Sequence, residues 1–207
     1  MRFRSLIVIT PEPQWITQAK KGNSEAFSRL VEIYQTPVYN LCYRMLGDPY
    51  EAEDAAQEAF LRAYHAMRQY DERRSFTTWL LSIAAHYCID QIRRRRLQLF
   101  SLDEAEYLEP PDAAPGPEQS YSINEVQRKV QALLNHLSPQ DRAAVVMYYW
   151  YDFSYDEIAG ALSLTVSAVK SRLHRARLAL AQEWTDRETQ AQAAERKQND
   201  KAHSPAF

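Results

Sequence analysis

One segment limits what this chain can fold into more than any other. Ser101-Leu-Asp-Glu-Ala-Glu-Tyr-Leu-Glu-Pro-Pro-Asp-Ala-Ala-Pro-Gly-Pro117 holds five acids and four prolines and shows no periodicity. Proline removes a backbone donor and clashes with the preceding turn, and a run of carboxylates repels itself in a compact state. A continuous core cannot run through such a stretch. The 207 residues therefore divide into two small domains with an acidic, Pro-rich flexible linker between them. On either side, apolar residues recur at intervals of three and four, and only four glycines occur in the whole chain. With Ala, Leu, Gln, Glu and Arg abundant, the expected fold class is all-α.

Before the linker, Ala26, Phe27, Leu30, Val31 and Tyr34 form one helical stripe that Pro37 should end, and Val38, Leu41, Cys42, Met45 and Leu46 resume it. Gly47 stops the helix, and Asp48, Pro49 and Glu51 start another carrying Ala52, Ala56, Ala59, Phe60, Ala63 and Met67 inward. A fourth pattern runs from about Thr77 to Arg96, with Trp79, Leu80, Ile83 and Tyr87 turned to the core. After the linker, Val126, Val130, Leu133, Leu134 and Leu137 mark one helix, and Ser138-Pro139 opens the next. The expected boundaries are an N-terminal extension over 1–19, a first domain over 20–98, the linker over 99–122, a second domain over 123–184 and a polar, frayed tail over 185–207.

The end of the second domain carries the sharpest functional signal. Ser154 with Glu157 is a capping box. Ile158, Ala159 and Leu162 form the apolar side of the short helix it starts, Ser163-Leu164-Thr165 makes a turn, and Thr165 caps a second helix. In that second helix Val169, Leu173, Ala176 and Leu180 share a buried stripe. Ser167, Ser171, His174 and Arg175 point away from it, with Lys170 at the flank. From Lys170 to Arg177 there are four Lys/Arg, one His and no acid. This is a helix-turn-helix with a small, polar, basic outer face suited to base edges and phosphates in a major groove; the alternative is a solvated amphipathic helix.

A net charge of −2 conceals this pattern. Residues 66–100 are net +4, residues 101–125 net −7, and residues 165–181 net +4. In the first domain, Tyr70-Asp-Glu-Arg-Arg-Ser-Phe-Thr-Thr-Trp79 mixes arginines, hydroxyls and aromatics in the way single-stranded nucleic acid needs. The stripe with Ile83 places Phe76 and Trp79 in the core, which Arg73 and Arg74 have no apolar reason to join. Arg93-Arg-Arg-Arg96 reads either as a nucleic-acid contact or as cations complementing a helix C-terminus, with Asp90 and Arg94 as an i,i+4 pair. Asp54, Gln57 and Glu58 share an exposed face that composition alone would leave to solvent.

The ordered set Asp54-Ala-Ala-Gln-Glu-Ala-Phe60, Phe76-Thr-Thr-Trp-Leu-Leu-Ser-Ile-Ala84, Asp90-Gln-Ile-Arg-Arg-Arg-Arg96, Leu137-Ser-Pro139 and Val169-Lys-Ser-Arg-Leu-His-Arg-Ala-Arg177 resembles the bacterial sigma factors of the extracytoplasmic-function group over residues 20–184. The resemblance implies a factor that binds core RNA polymerase and directs promoter-specific initiation. Asp54, Gln57 and Glu58 would meet the clamp helices of the polymerase's largest subunits. Residues 69–79, with Arg73, Arg74, Ser75, Phe76, Thr78 and Trp79, would capture an unpaired base of the −10 element, and Arg93, Arg94, Arg95 and Arg96 would lie beside the melting duplex. Ser167, Lys170, Ser171, His174 and Arg175, with Arg172 counted among them, would read the −35 element. An anti-sigma partner is implied as well, and the acidic linker would thread the polymerase cleft, with Asp103, Glu104, Glu106 and Glu109 acting as a nucleic-acid mimic. Two departures bear on specificity. Thr165-Val-Ser-Ala-Val169 stands where many relatives have Pro-Val-Gly-Thr-Val, and His86 where many carry Asn.

Two other function classes compete. A stand-alone helix-turn-helix regulator explains residues 138–184 equally well but not the Asp54 face or the Arg73–Trp79 segment. A nucleic-acid enzyme lacks support: there is no nucleophile–base pair and no phosphate-cradling glycine loop. His65, His86, His136, His174 and His203 are scattered, so no metal or other cofactor is implied. Cys42 and Cys88 read as buried free thiols. The longest apolar run, Ala143–Tyr151, is far below the ~18 residues of a membrane span, and Leu6–Ile9 is too short for a signal peptide, so a cytoplasmic protein is expected.

Overall fold

A computed structural model describes residues 13–102 and 121–202, with side chains placed over 13–98 and 126–185. The linker residues 103–120, including all four carboxylates assigned to nucleic-acid mimicry, lie outside the described residues. The first domain holds α1 (Pro13–Lys20), α2 (Ser24–Leu46), α3 (Pro49–Ala66), a 3₁₀ turn (Met67–Gln69) and α4 (Phe76–Leu102). The second holds α5 (Tyr121–Asn135), α6 (Pro139–Trp150), α7 (Tyr155–Leu162) and α8 (Val166–Ala202). Every regular element among the described residues is helical, as the composition requires.

Local chemistry fixes the element ends. The Asn23 side chain accepts from the Ala26 amide at 3.0 Å and opens α2. Gly47 closes α2 at φ +87°, donating to the Tyr43 carbonyl at 2.8 Å, in a left-handed conformation that L side chains avoid. Asp48 then accepts from the Glu51 amide at 2.9 Å, with Pro49 at the first helical position. In the first core, Leu30, Tyr34, Val38, Leu41, Cys42 and Met45 of α2 meet Ala52, Ala55, Ala56, Ala59 and Ala63 of α3. The alanine stripe lets the two helix backbones approach closely. Tyr34 is fully buried, and its hydroxyl lies 3.0 Å from Thr77 Oγ1. Burial pushes its pKa up, an effect that this hydrogen bond only partly offsets.

Several sequence expectations are corrected. Pro37 does not end a helix: α2 runs through it as one element, because Tyr34 and Val38 on either side are both buried and outweigh one missing backbone bond. The residues assigned to an N-terminal extension supply α1, whose Ala19 is buried and whose Trp15 and Ile16 pack on the core. In α4 the buried stripe is Phe76, Leu80, Leu81, Ala84, Ala85, Cys88 and Ile89, whereas Trp79, Ile83 and Tyr87 are half-buried. α4 extends six residues beyond Arg96, to Leu102. The tail beyond Trp184 is not frayed at once but continues α8 to Ala202, as its Ala, Gln, Glu and Arg content favours.

The two domains dock on one another. Arg142 of α6, only 4% exposed, donates to the carbonyls of Met45 on α2 and Asn135, the latter at 3.0 Å. It thereby caps the C-terminal end of a helix in the other domain. Gln131 donates to the Arg44 carbonyl at 3.1 Å, the Arg44 guanidinium lies 5.0 Å from the Trp150 ring centroid, and Tyr151 donates to the Pro37 carbonyl at 2.6 Å. Burial, and secondarily the charge of Arg96, brings the Arg142 pKa down to about 10, so the side chain stays cationic at neutral pH.

Candidate nucleic-acid interface

The helix-turn-helix is built from its caps. Ser154 accepts from the Glu157 amide at 3.2 Å while Glu157 accepts from the Ser154 amide at 2.9 Å, completing the capping box. Ser163 takes the left-handed conformation at φ 55°, and Thr165 accepts from the Ala168 amide at 3.1 Å to open α8. Ile158 and Leu162 of α7 and Val169, Leu173 and Ala176 of α8 are buried between the helices. This leaves Ser167, Lys170, Ser171, His174 and Arg175 exposed together on the outer face. The Lys170 ammonium lies 5.7 Å from the Tyr155 ring, which stacks on Tyr148 at 5.5 Å. Arg177 hydrogen-bonds Tyr155 and Tyr149, a pairing sequence reasoning missed because it spans three helices.

Arg172 does not belong to that face. It folds back onto α6, reaching Asp141 Oδ1 at 2.8 Å and Gln140 Oε1 at 2.6 Å. Asp141 is itself held by the Ser138 hydroxyl at 2.7 Å. Arg172 therefore braces the recognition helix against the helix beneath it.

In the first domain the segment after the 3₁₀ turn is tied rather than loose. The Arg73 guanidinium grips Asp71 with Nε–Oδ1 at 3.0 Å and Nη2–Oδ2 at 2.8 Å, and the Arg73 amide adds a third bond at 3.1 Å. These hydrogen bonds bring the Asp71 pKa down to about 2. Tyr70 donates to the Arg74 carbonyl, and Lys20 of α1 reaches Glu72 at 2.8 Å. Arg73, Arg74 and Ser75 stay exposed. Phe76, counted with the DNA surface in the sequence, sits inside an aromatic cluster, 5.3 Å from Tyr34, 5.5 Å from Tyr70 and 5.4 Å from Trp79. At 4% exposure it offers no face to a base and supports the half-buried Trp79 instead. Thr78 donates to Glu157 Oε1 across the domain boundary at 3.5 Å.

Arg93, Arg94 and Arg96 are exposed, and Arg95 is half-buried in an ion pair with Glu51. Asp90 pairs with Arg93, at 3.9 Å, rather than with Arg94. Because α4 continues well past Arg96, these cations sit too far from its C-terminus to complement the helix dipole, and that alternative falls. On α3, Asp54 and Gln57 are exposed and Glu58 is half-buried, 2.7 Å from Arg62, whose guanidinium stacks over Tyr87 at 4.7 Å. Leu61, 57% exposed, adds an apolar group one turn beyond Gln57 that the sequence reading left out.

Cys42 and Cys88 are both buried free thiols in mutual contact, and the hydrogen bond between them, with burial, pushes the Cys88 thiol up. Among the described residues, no group of three or more His, Cys, Asp or Glu is placed to hold a metal ion, and no helix is long and apolar enough to cross a membrane.

Comparison with known proteins agrees with this layout. Residues 30–98 match the Sigma-70 region 2 family and residues 127–180 match Sigma-70, region 4. The chain is 38% identical to the ECF RNA polymerase sigma factor SigW of Bacillus subtilis (strain 168), over 83% of this chain and 95% of that one. It is 36% identical to the ECF RNA polymerase sigma factor SigE of Mycolicibacterium smegmatis (strain ATCC 700084 / mc(2)155), over 73% of this chain and 59% of that one. The fold is similar to that of CnrH, solved in complex with the cytosolic domain of CnrY, with a TM-score of 0.62, 24% identity and coverage of 86% and 99%. The region 2 and region 4 matches fall on either side of the acidic linker, with one basic face in each. The chain belongs to the extracytoplasmic-function sigma factors of the sigma-70 family.

Proposed function

We propose that this sigma factor divides promoter recognition between a helix that reads duplex and a segment that holds a separated strand. The open, cap-defined face of α8 carries the reading: Ser167, Lys170, Ser171, His174 and Arg175 are presented together, free of acids, on a helix braced by Arg172. They would contact the −35 element. Arg73, Arg74, Ser75, Thr78 and Trp79, with Arg93, Arg94, Arg95 and Arg96 farther along α4, would capture and flank the melted −10 element. Asp54, Gln57 and Glu58 would bind the clamp helices of core polymerase, with Leu61 adding apolar contact. The factor would supply recognition and strand capture, while nucleotide chemistry stays with the polymerase. It is thus not itself an enzyme, and it would act in the cytoplasm. An anti-sigma partner covering one of these faces fits the same reading, since CnrH was solved with CnrY bound.

Run-off transcription with core polymerase and a pool of promoter fragments tests this. Specific transcripts should require the intact protein and disappear with an Asp54→Ala/Gln57→Ala/Glu58→Ala variant that still folds. Tight duplex binding by the free protein without polymerase-dependent transcripts would favour a stand-alone regulator.

A further inference from the structure

The seam between the domains is polar and directional, and it touches the strand-capture segment. Four contacts converge on the C-terminal half of α2: Arg142 to the Met45 carbonyl, Gln131 to the Arg44 carbonyl, Arg44 over Trp150, and Tyr151 to the Pro37 carbonyl. A fifth joins α7 to α4, where Glu157 Oε1 accepts from Thr78 Oγ1 at 3.5 Å. The N-terminus of α7, with Asp156 and Glu157 in its first turn, is thereby set against the segment that would hold the −10 strand. Carboxylates there repel a phosphate backbone and occupy a hydroxyl that would face it. The −35 face of α8 remains exposed in the same arrangement.

Docking is also incompatible with reading both elements at once. Sites centred at −35 and −10 are separated by roughly 85 Å of B-form duplex at 3.4 Å per step. A compact body of this chain length is roughly 40 Å across. The eighteen residues between Leu102 and Tyr121 could reach roughly 60 Å when extended, enough to let the domains part. The seam is suited to reversible opening. Its central residue is a cation that regains hydration on release, and its partners are carbonyls that water can satisfy.

We propose that region 4 of this protein is an intramolecular inhibitor of its own region 2: the Arg142, Gln131, Tyr151 and Glu157 contacts hold a closed state in which strand capture is blocked and duplex reading is not. The inference rests on the assignment of the −10 and −35 faces above. Core polymerase, by binding the domains apart, opens the seam.

Spin labels at Ser28→Cys on α2 and Gly160→Cys on α7 test the closed state. Both positions are exposed, an added Cβ at Gly160 meets nothing within 4 Å, and the two native thiols are buried. The free protein should give one narrow distance, replaced by one longer by tens of ångströms in a transcribing polymerase complex. A broad, long distribution in the free protein, or persistence of the short distance in a complex that makes transcripts, would overturn the proposal. Failure to make any protein-dependent transcript would instead contradict the promoter reading, whatever the free-protein distance.

A Tyr151→Phe/Gln131→Ala variant removes two seam hydrogen bonds and no residue of either DNA face. It should bind a mixed-sequence twelve-nucleotide single strand about fivefold or more tighter than the parent, the scale of losing one net hydrogen bond from the closed state. Its binding to mixed-sequence duplex should stay unchanged. A variant whose label distance shows it open but which binds single strand no better would show that the seam is structural only.

Discussion

The two DNA-facing regions differ in how they are built. The α8 face stands on a rigid frame: a capping box, a left-handed turn residue, a Thr165 cap, and three buried residues, Val169, Leu173 and Ala176, that fix its rotation. The Tyr70–Trp79 segment has no such periodic frame. It is held by aromatic packing around Phe76, by the Arg73–Asp71 fork and by contact with the other domain through Thr78. The contrast follows from the task. Reading base edges in a groove needs side chains on a helix of fixed phase. Holding an unstacked base needs arginines and aromatic walls that project from irregular backbone.

The comparison breaks most readily at Phe76. Phe76→Ala should lower unfolding free energy by about 3–5 kcal/mol, the range for truncating a buried aromatic, seen as a lower midpoint in denaturant. Trp79→Ala should cost clearly less because Trp79 is half-exposed. Equal, small effects would mean that Phe76 is a surface contact.

Next come the two arginines of α8. Arg172→Ala should destabilise the second domain by about 1.5–3 kcal/mol, the scale of hydrogen bonds to a charged group, through loss of the Asp141 and Gln140 contacts. Arg175→Ala should leave the unfolding midpoint unchanged and cost about 1–3 kcal/mol of duplex affinity if its contact is to a base. Calorimetry and a binding titration separate the pair, and interchanged effects would reverse their assignments.

A smaller effect is expected at the cap: Ser154→Ala should cost about 1 kcal/mol of stability, and Ser154→Thr much less. The smallest concerns Asp71. Its carboxyl, ordinarily near 3.8, is held at about 2 by Arg73. A depressed folded pKa contributes stability that is present above the unfolded value and is lost as pH falls through the folded one. That window lies between about pH 4 and pH 2. The Asp71 side-chain NMR signal should titrate near 2, and in Arg73→Ala it should move up toward the ordinary value.

The sequence disclosed the rigid region far better than the irregular one. The outward set on α8 followed from a 3.6-residue period and two recognisable caps. Arg172 escaped because its phase places it at the edge of that face while its length lets it turn back to Asp141. α4 was misphased because its contact with the rest of the bundle is made through Leu81, Ala84, Ala85 and Cys88, whereas the bulky Trp79, Ile83 and Tyr87 drew the stripe to one side. Pro37 read as a break because the packing that overrides it comes from residues distant in sequence. The domain seam was the least visible. Gln131, Arg142 and Tyr151 bind main-chain carbonyls, and a carbonyl acceptor leaves no mark in the residue pattern.

The division of labour is tested most directly by footprinting open complexes, formed with core polymerase on a promoter recovered by run-off transcription, and probing upstream duplex protection together with permanganate reactivity of unpaired thymines. Arg73→Ala/Arg74→Ala should keep the −35 protection and lose −10 reactivity, whereas Lys170→Ala/Arg175→Ala should lose the upstream protection itself. If the Arg73/Arg74 variant lost upstream protection while melting normally, or if neither variant changed either signal, the assignment of the two faces would be contradicted.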